Sequence, residues 1–243
     1  MNSGGAPGED VATYLKNCPR INFIGLNLYV NPNTTVGQFR EDLLRYKIGR
    51  NIPSLTETNS ANDGVAPRLV FLSVGEFGSP LFSPWALNIS TAPYVTGNGT
   101  LANGAFALRD AYTALAEALP QIAYFAGTDK LKVFMADSPG KKFSETQDVN
   151  GLTVTVSGEN EAKAIAIHPG GHNLLLVGNA CEVAVKDVGL QWPEMKSLRV
   201  ERGHWEKNVW VKDGEPVGGY EVDQSHGSLW IDMQTPETVR ISW

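Results

Sequence analysis

Cysteine, positive charge and long apolar runs are all scarce in this chain of 243 residues, and each scarcity excludes something. The two cysteines, Cys18 and Cys181, stand far apart and form neither a disulfide framework nor a metal-ligand spacing. Lys and Arg total 20 against 26 Asp and Glu, a net charge of −6, and the basic residues form no stripe. Nucleic acid and anionic membrane surfaces are therefore excluded as partners. No apolar run reaches the roughly 20 residues that cross a bilayer. The Gly-rich polar start, Met1 to Asp10, has neither a charged segment nor an apolar one after it, so no secretory signal is visible. No serine elbow and no Cys/His pair with an orienting acid can be assembled. His168 and His172 are four apart, but Pro169-Gly170-Gly171 separates them, so they flank a turn and form no helical metal site. No metal and no cofactor is expected. Gly97, Gly99 and Gly104 do not sit between a strand and a helix and make no dinucleotide fingerprint.

What is present is a core. With 42% hydrophobic and 19% charged residues, the chain can bury one or two domains. Glu9 to Asn17 reads as a short helix with Val11, Tyr14 and Leu15 on one side. Ile21 to Val30 is almost continuously apolar, the pattern of a parallel strand buried on both faces, with Asn27 and Tyr29 near its C-terminal end. Thr35 is placed to cap a helix from Val36 to Tyr46, with Phe39, Leu43 and Leu44 as its apolar stripe. The stretch Asn51 to Asn59 is a brief strand that ends on Glu57. After a loop at Ala61 to Gly64, Val65 to Phe77 reads as a helix with Leu69, Val70, Leu72 and Val74 inward. The run from Gly78 starts a third strand, with Trp85 just past its end.

The first ninety residues thus alternate strand, helix, strand, helix, strand at about thirty residues per unit, which means parallel pairing with right-handed crossovers. Polar or aromatic groups stand at all three C-terminal strand ends, where α/β sheets bind ligands: Asn27 and Tyr29, then Glu57, then Trp85. A carboxylate between aromatics suits a sugar, whose faces stack while its hydroxyls take the polar groups. The bland alternatives are a solvated loop acid at Glu57 and a rim aromatic at Trp85.

Gly75-Glu76-Phe77-Gly78-Ser79-Pro80-Leu81-Phe82-Ser83-Pro84-Trp85 resembles the last helix-to-strand passage of glycoside hydrolase family 35 β-galactosidases, in the branch with a C-terminal β-domain of unknown function. Ile24 to Tyr29 is similar to that branch's sixth barrel strand, and Ile52 to Glu57 sits where the seventh carries the nucleophile. The likeness continues through Lys130-Leu131-Lys132, Asp137 to Lys141 and Ser197 to Trp205. It implies the last three βα units of a (β/α)8 barrel, Glu57 as nucleophile, and Asn27, Tyr29, Asn59 and Trp85 as substrate-binding residues for a β-galactoside or other carbohydrate. Tyr29 would hold Glu57 ionised. Galactose rests on the resemblance alone.

Two departures from the family are visible. Thr56 stands where the family usually has Pro. More seriously, a retaining glycosidase needs a second carboxyl about 5–5.5 Å from the first. In the family it is a Glu following an Asn on the fourth strand. Here Asn160-Glu161 lies in a β-rich tail, and Glu9 and Asp10 precede a helix. Three parallel strands cannot close a barrel, so an upstream half or a partner is expected to cover the open edge, and the chain by itself is expected to be inactive. The alternative is a non-catalytic carbohydrate-binding or interaction module derived from a glycosidase.

Ala105 to Phe125 reads as a helix through Leu108, Tyr112, Leu115 and Leu119, kinked at Pro120, that closes the barrel remnant. From Lys130 the period changes to two. Short strands at 152–156, 164–167, 173–177, 183–185, 198–200, 210–212, 228–231 and 238–243 predict an antiparallel sandwich. The expected domains are 1–127 and 128–243. Asn33-Thr34-Thr35, Asn88-Ile89-Ser90 and Asn98-Gly99-Thr100 are glycosylation sequons, compatible with secretion if a signal lies upstream of Met1.

Overall fold

A computed structural model describes residues 8–60, 64–85, 94–138, 140–187, 198–223 and 227–243, with backbone alone at Glu9, Asn160, Glu161 and Asp187. The sequon at Asn88, the first part of the loop at 61–64, and Pro139 and Ser197 of the family-like stretches lie outside the described residues. The chain is mixed α and β and divides into two compact units, Met1–Arg109 and Asp110–Trp243.

In the first unit, β1 (Gly25–Leu28), β2 (Ser54–Thr58) and β3 (Phe82–Pro84) form a parallel sheet in the order β1-β2-β3. The helices between them are α2 (Val36–Leu44), α3 (Ala66–Val70) and a π turn continuing α3 over Phe71–Glu76; α1 (Val11–Asn17) precedes the sheet. Thr35 caps α2 as expected: its hydroxyl accepts from Gln38 N while the Gln38 amide oxygen accepts from Thr35 N, a reciprocal capping box. Phe39 and Leu43 are buried, but Leu44 faces solvent; on α1 only Val11 is buried, and Tyr14 is exposed. Arg40 clasps Glu76 through Nε at 2.8 Å and Nη2 at 2.9 Å, tying α2 to the π turn.

The expected ten-residue first strand is four residues long. The reason is chemical. On either side of β1 the chain bonds to asparagine side chains instead of to a ladder. Asn51 Oδ1 accepts from Ile24 N at 2.6 Å and its Nδ2 donates to Ile24 O at 3.2 Å. Asn59 repeats the device at the other end, with Val30 N and Val30 O at 3.0 and 2.8 Å. Each buried amide stands in for a pair of sheet hydrogen bonds.

The second unit begins within α4 (Phe106–Phe125), not after residue 127. The body of α4 belongs to the β-rich unit: Glu117 faces Thr238 and Arg202, and Gln121 shares a cavity wall with Ile167, Leu175 and Arg240. Helix α4 continues through Pro120. The carbonyl that loses its partner is that of Ala116, on an exposed face where water can take it.

The strands are β4 (Leu131–Met135), β5 (Phe143–Val149), β6 (Leu152–Ile167), β7 (Asn173–Asp187), β8 (Arg199–Glu206), β9 (Val209–Gly214), β10 (Tyr220–Asp223), β11 (Ser228–Met233) and β12 (Glu237–Ser242). Four of the expected short strands are two long ones. The first part of β6 pairs with β5 and its second with β4, and β7 likewise passes from β12 to β11. A register shift between Gly158 and Lys163 carries the change. So the expected sandwich is one continuous nine-stranded antiparallel sheet. Side chains from both parts of it, among them Val154, Val183, Ile231, Ala164, Leu176 and Ile241, share one contiguous core, so the sheet folds over on itself.

Candidate active site at the end of the parallel sheet

The ladder between β1 and β2 slips by one residue. Leu26 stands opposite Leu55, but Asn27 stands opposite Glu57, leaving Thr56 as an extra residue on β2. Partners in a parallel pair share a face. Leu26, Leu28, Leu55 and Thr58 are therefore packed on one side and are almost fully buried. The bulge turns both Thr56 and Glu57 toward the other, more open side, beside Asn27. In an unbroken register Glu57 would share the buried face with Leu28.

Small residues make this arrangement possible. A Cβ at Gly25 would lie 2.4 Å from Thr56 Cγ2, so only glycine leaves room for the Thr56 side chain. The Thr56 hydroxyl lies 2.8 Å from Asn27 Oδ1 and donates to it. That fixes the Asn27 amide with Nδ2 toward Glu57 Oε2, at 3.4 Å. The Tyr29 hydroxyl donates to Glu57 Oε1. Each oxygen of the carboxylate thus has a donor. Burial, followed by the hydrogen bond and the negative charge of Glu57, pushes the Tyr29 phenol well above its ordinary range, so it remains a donor.

Of the residues singled out in the sequence, Asn27, Tyr29 and Glu57 come together. Asn59 lies two residues further on, 3% exposed; its amide is engaged with Val30 and its carbonyl accepts from Tyr94 Oη at 3.0 Å. It holds the strand ends in place. Trp85 N donates to Thr58 O at 2.8 Å, which seats Trp85 next to the end of β2, and the residue is 51% exposed. On the α2 side of Tyr29 is a hollow of about 560 Å³ lined by Thr34, Gln38, Glu41, Asp42 and Arg45.

No protein-family model matches this chain, and no curated protein matches it. The functional reading therefore rests on the geometry and on the resemblance in the sequence.

Sequence reasoning missed Gly25, Asn51 and the positioning role of Thr56. The signal for Thr56 was its hydroxyl directly before the acid. For the asparagines it was the placement of Asn51 and Asn59 on both sides of one short strand. Among the described residues, no three His, Cys, Asp or Glu side chains gather as metal ligands. His168 is buried with Nδ1 3.0 Å from Asn150 O and Nε2 3.2 Å from Gly171 O, and His172 packs edge-on against Trp243. Among the described residues, Glu57 has no second carboxyl in its hydrogen-bond network.

Proposed function

We propose that this chain is part of a retaining, β-galactosidase-like glycoside hydrolase in which Glu57 is the nucleophile. One observation carries the reading: a carboxylate at the C-terminal end of the middle strand of a parallel sheet, aimed by a bulge and held at both oxygens by Tyr29 and Asn27. This is where (β/α)8 enzymes place catalytic groups, and the three strands would be the last three of such a barrel. Glu57 would attack the anomeric carbon as the leaving group departs, forming a glycosyl-enzyme that water hydrolyses. Tyr29 and Asn27 would keep the attacking oxygen oriented, and Trp85 would stack on the sugar. The proton for the leaving group would come from a carboxyl outside the Glu57 network, contributed by an upstream segment or partner on the free edge of β1.

That no second carboxyl joins the Glu57 network among the described residues also favours a second reading, a sugar-binding or interaction module without catalysis. The size of the native polypeptide, detected with an antibody to the β-rich unit, separates the two. A species far larger than 26.3 kDa supports the enzyme, whereas a species at that mass supports the module. In the larger species Glu57→Gln should lower turnover of a β-galactoside by about a thousandfold or more. Unchanged turnover would remove Glu57 from the mechanism.

A further inference from the structure

The β-rich unit holds a cavity that the reading above leaves unused. Its volume is about 250 Å³, and its walls include Gln121 of α4, Ile167, Leu174, Leu175, Trp205 and Arg240. Liquid water takes about 30 Å³ per molecule, so the space corresponds to about eight waters, at the small end of ligand sites. Ile167 and Leu175 are buried apolar wall residues, whereas the Leu174 side chain packs in the core on the other face of β7.

The polar groups in this wall are unbalanced. Arg240 Nη2 donates to Asn173 Oδ1 at 3.2 Å, and among the described residues no carboxylate lies within ion-pair reach of its guanidinium. Glu201, opposite Arg240 in the β8–β12 ladder, lies 3.9 Å from Lys212 instead. The indole N–H of Trp205 is buried with no acceptor among the described residues. The Trp205 ring is held edge-on against Trp210, with centroids 5.8 Å apart. Gln121 adds an amide, while the nearby acceptor Asn173 Oδ1 already serves Arg240. The Trp205 indole nitrogen has no accessible surface, so Trp205 gives the cavity its ring, and the cavity offers the Arg240 cation beside an apolar wall, with few acceptors.

We propose that this cavity binds a small monocarboxylate with a branched aliphatic or aromatic body. Its carboxylate would meet Arg240, and its body would lie against Ile167, Leu175 and the Trp205 ring. A neutral sugar is the poorer complement, because each hydroxyl brings a donor that needs an acceptor. The site lies wholly within the β-rich unit and does not depend on the role of Glu57.

The test is an NMR titration of the full chain, following the tryptophan indole N–H signals, with that of Trp205 assigned by its loss in Trp205→Phe. The probes are isovalerate, phenylacetate, the neutral isovaleramide and methyl β-galactoside. A saturable shift of the Trp205 signal by a carboxylate is expected. Isovaleramide should bind at least about tenfold more weakly, and Arg240→Gln should weaken isovalerate by a similar factor. Trp205→Ala, followed through other cavity signals, should weaken it several-fold by removing a wall, and the exposed Lys186→Gln should leave it unchanged. If Arg240→Gln does not fold, the acid–amide comparison on the natural chain decides. No shift up to about 20 mM carboxylate, equal binding of acid and amide, or tighter binding of the galactoside would each overturn the proposal.

Discussion

The parallel sheet and the antiparallel sheet of this chain handle their faces and edges in opposite ways. The parallel sheet has three strands of four, five and three residues. It packs Leu26, Leu28 and Leu55 on one side and shows Asn27, Thr56 and Glu57 on the other, and among the described residues β1 and β3 each have a free edge. The antiparallel sheet is built on β6 and β7, of 16 and 15 residues, and folds over its own core. A sheet that folds over on itself buries one whole set of hydrophobic side chains between its own parts. A sheet with a bare polar face keeps its chemistry accessible and depends on side-chain clamps for its shape.

The largest expected effects come from core truncation, and they should differ in kind between the units. Leu176→Ala in the antiparallel core and Leu55→Ala in β2 should each cost about 2–5 kcal/mol. Scanning calorimetry should resolve two transitions, with Leu55→Ala lowering one and Leu176→Ala the other. A single transition lowered equally by both would break the comparison.

Next come the clamps. Asn51→Ala and Asn59→Ala each strand backbone groups of Ile24 or Val30, at about 1–3 kcal/mol each. Hydrogen exchange should show the amides of Ile24 and Val30 losing protection while those of β7 keep theirs. Loss of protection across both units would mean that these residues do not act locally. Gly25→Ala should cost about 1–3 kcal/mol through its contact with Thr56 Cγ2, and adding Thr56→Ser should recover part of that loss in urea unfolding. An additive double mutant would refute the proposed packing.

The smallest effect is electrostatic. The hydrogen bond that His204 Nδ1 donates to the Asp213 carboxylate, 3.0 Å away, holds the imidazole above its ordinary value of about 6.5. A pKa raised on folding contributes stability that is present below that ordinary value and is lost as pH rises through the folded value. An NMR titration should find His204 above about 6.5, falling back toward it in Asp213→Asn. No change in that variant would break the assignment.

Much of the parallel unit was legible because its signals are local. The Thr35 capping box, the apolar core of β1 and the polar residues at the strand ends all lie within a few residues of one another. The bulge at Thr56 was not legible, because it exists only in the pairing of β2 with β1, thirty residues away. In the second unit, Gly158 to Ala162 carries turn-forming residues, so one strand reads as two; β7 pairs with it on both sides of the break. Strand β5 was overlooked because Ser144 to Asp148 is polar at every position, leaving no alternation to see. The placement of α4 depended on contacts with β12 that periodicity cannot report.

The most direct test of the central claim is covalent trapping. The native polypeptide recognised through the β-rich unit should be treated with a 2-deoxy-2-fluoro-β-galactosyl fluoride, digested, and mapped by mass spectrometry. The account predicts a single fluorogalactosyl adduct on the peptide containing Glu57, absent from Glu57→Gln. An adduct on another carboxylate, or an active enzyme that forms none on Glu57, would contradict it.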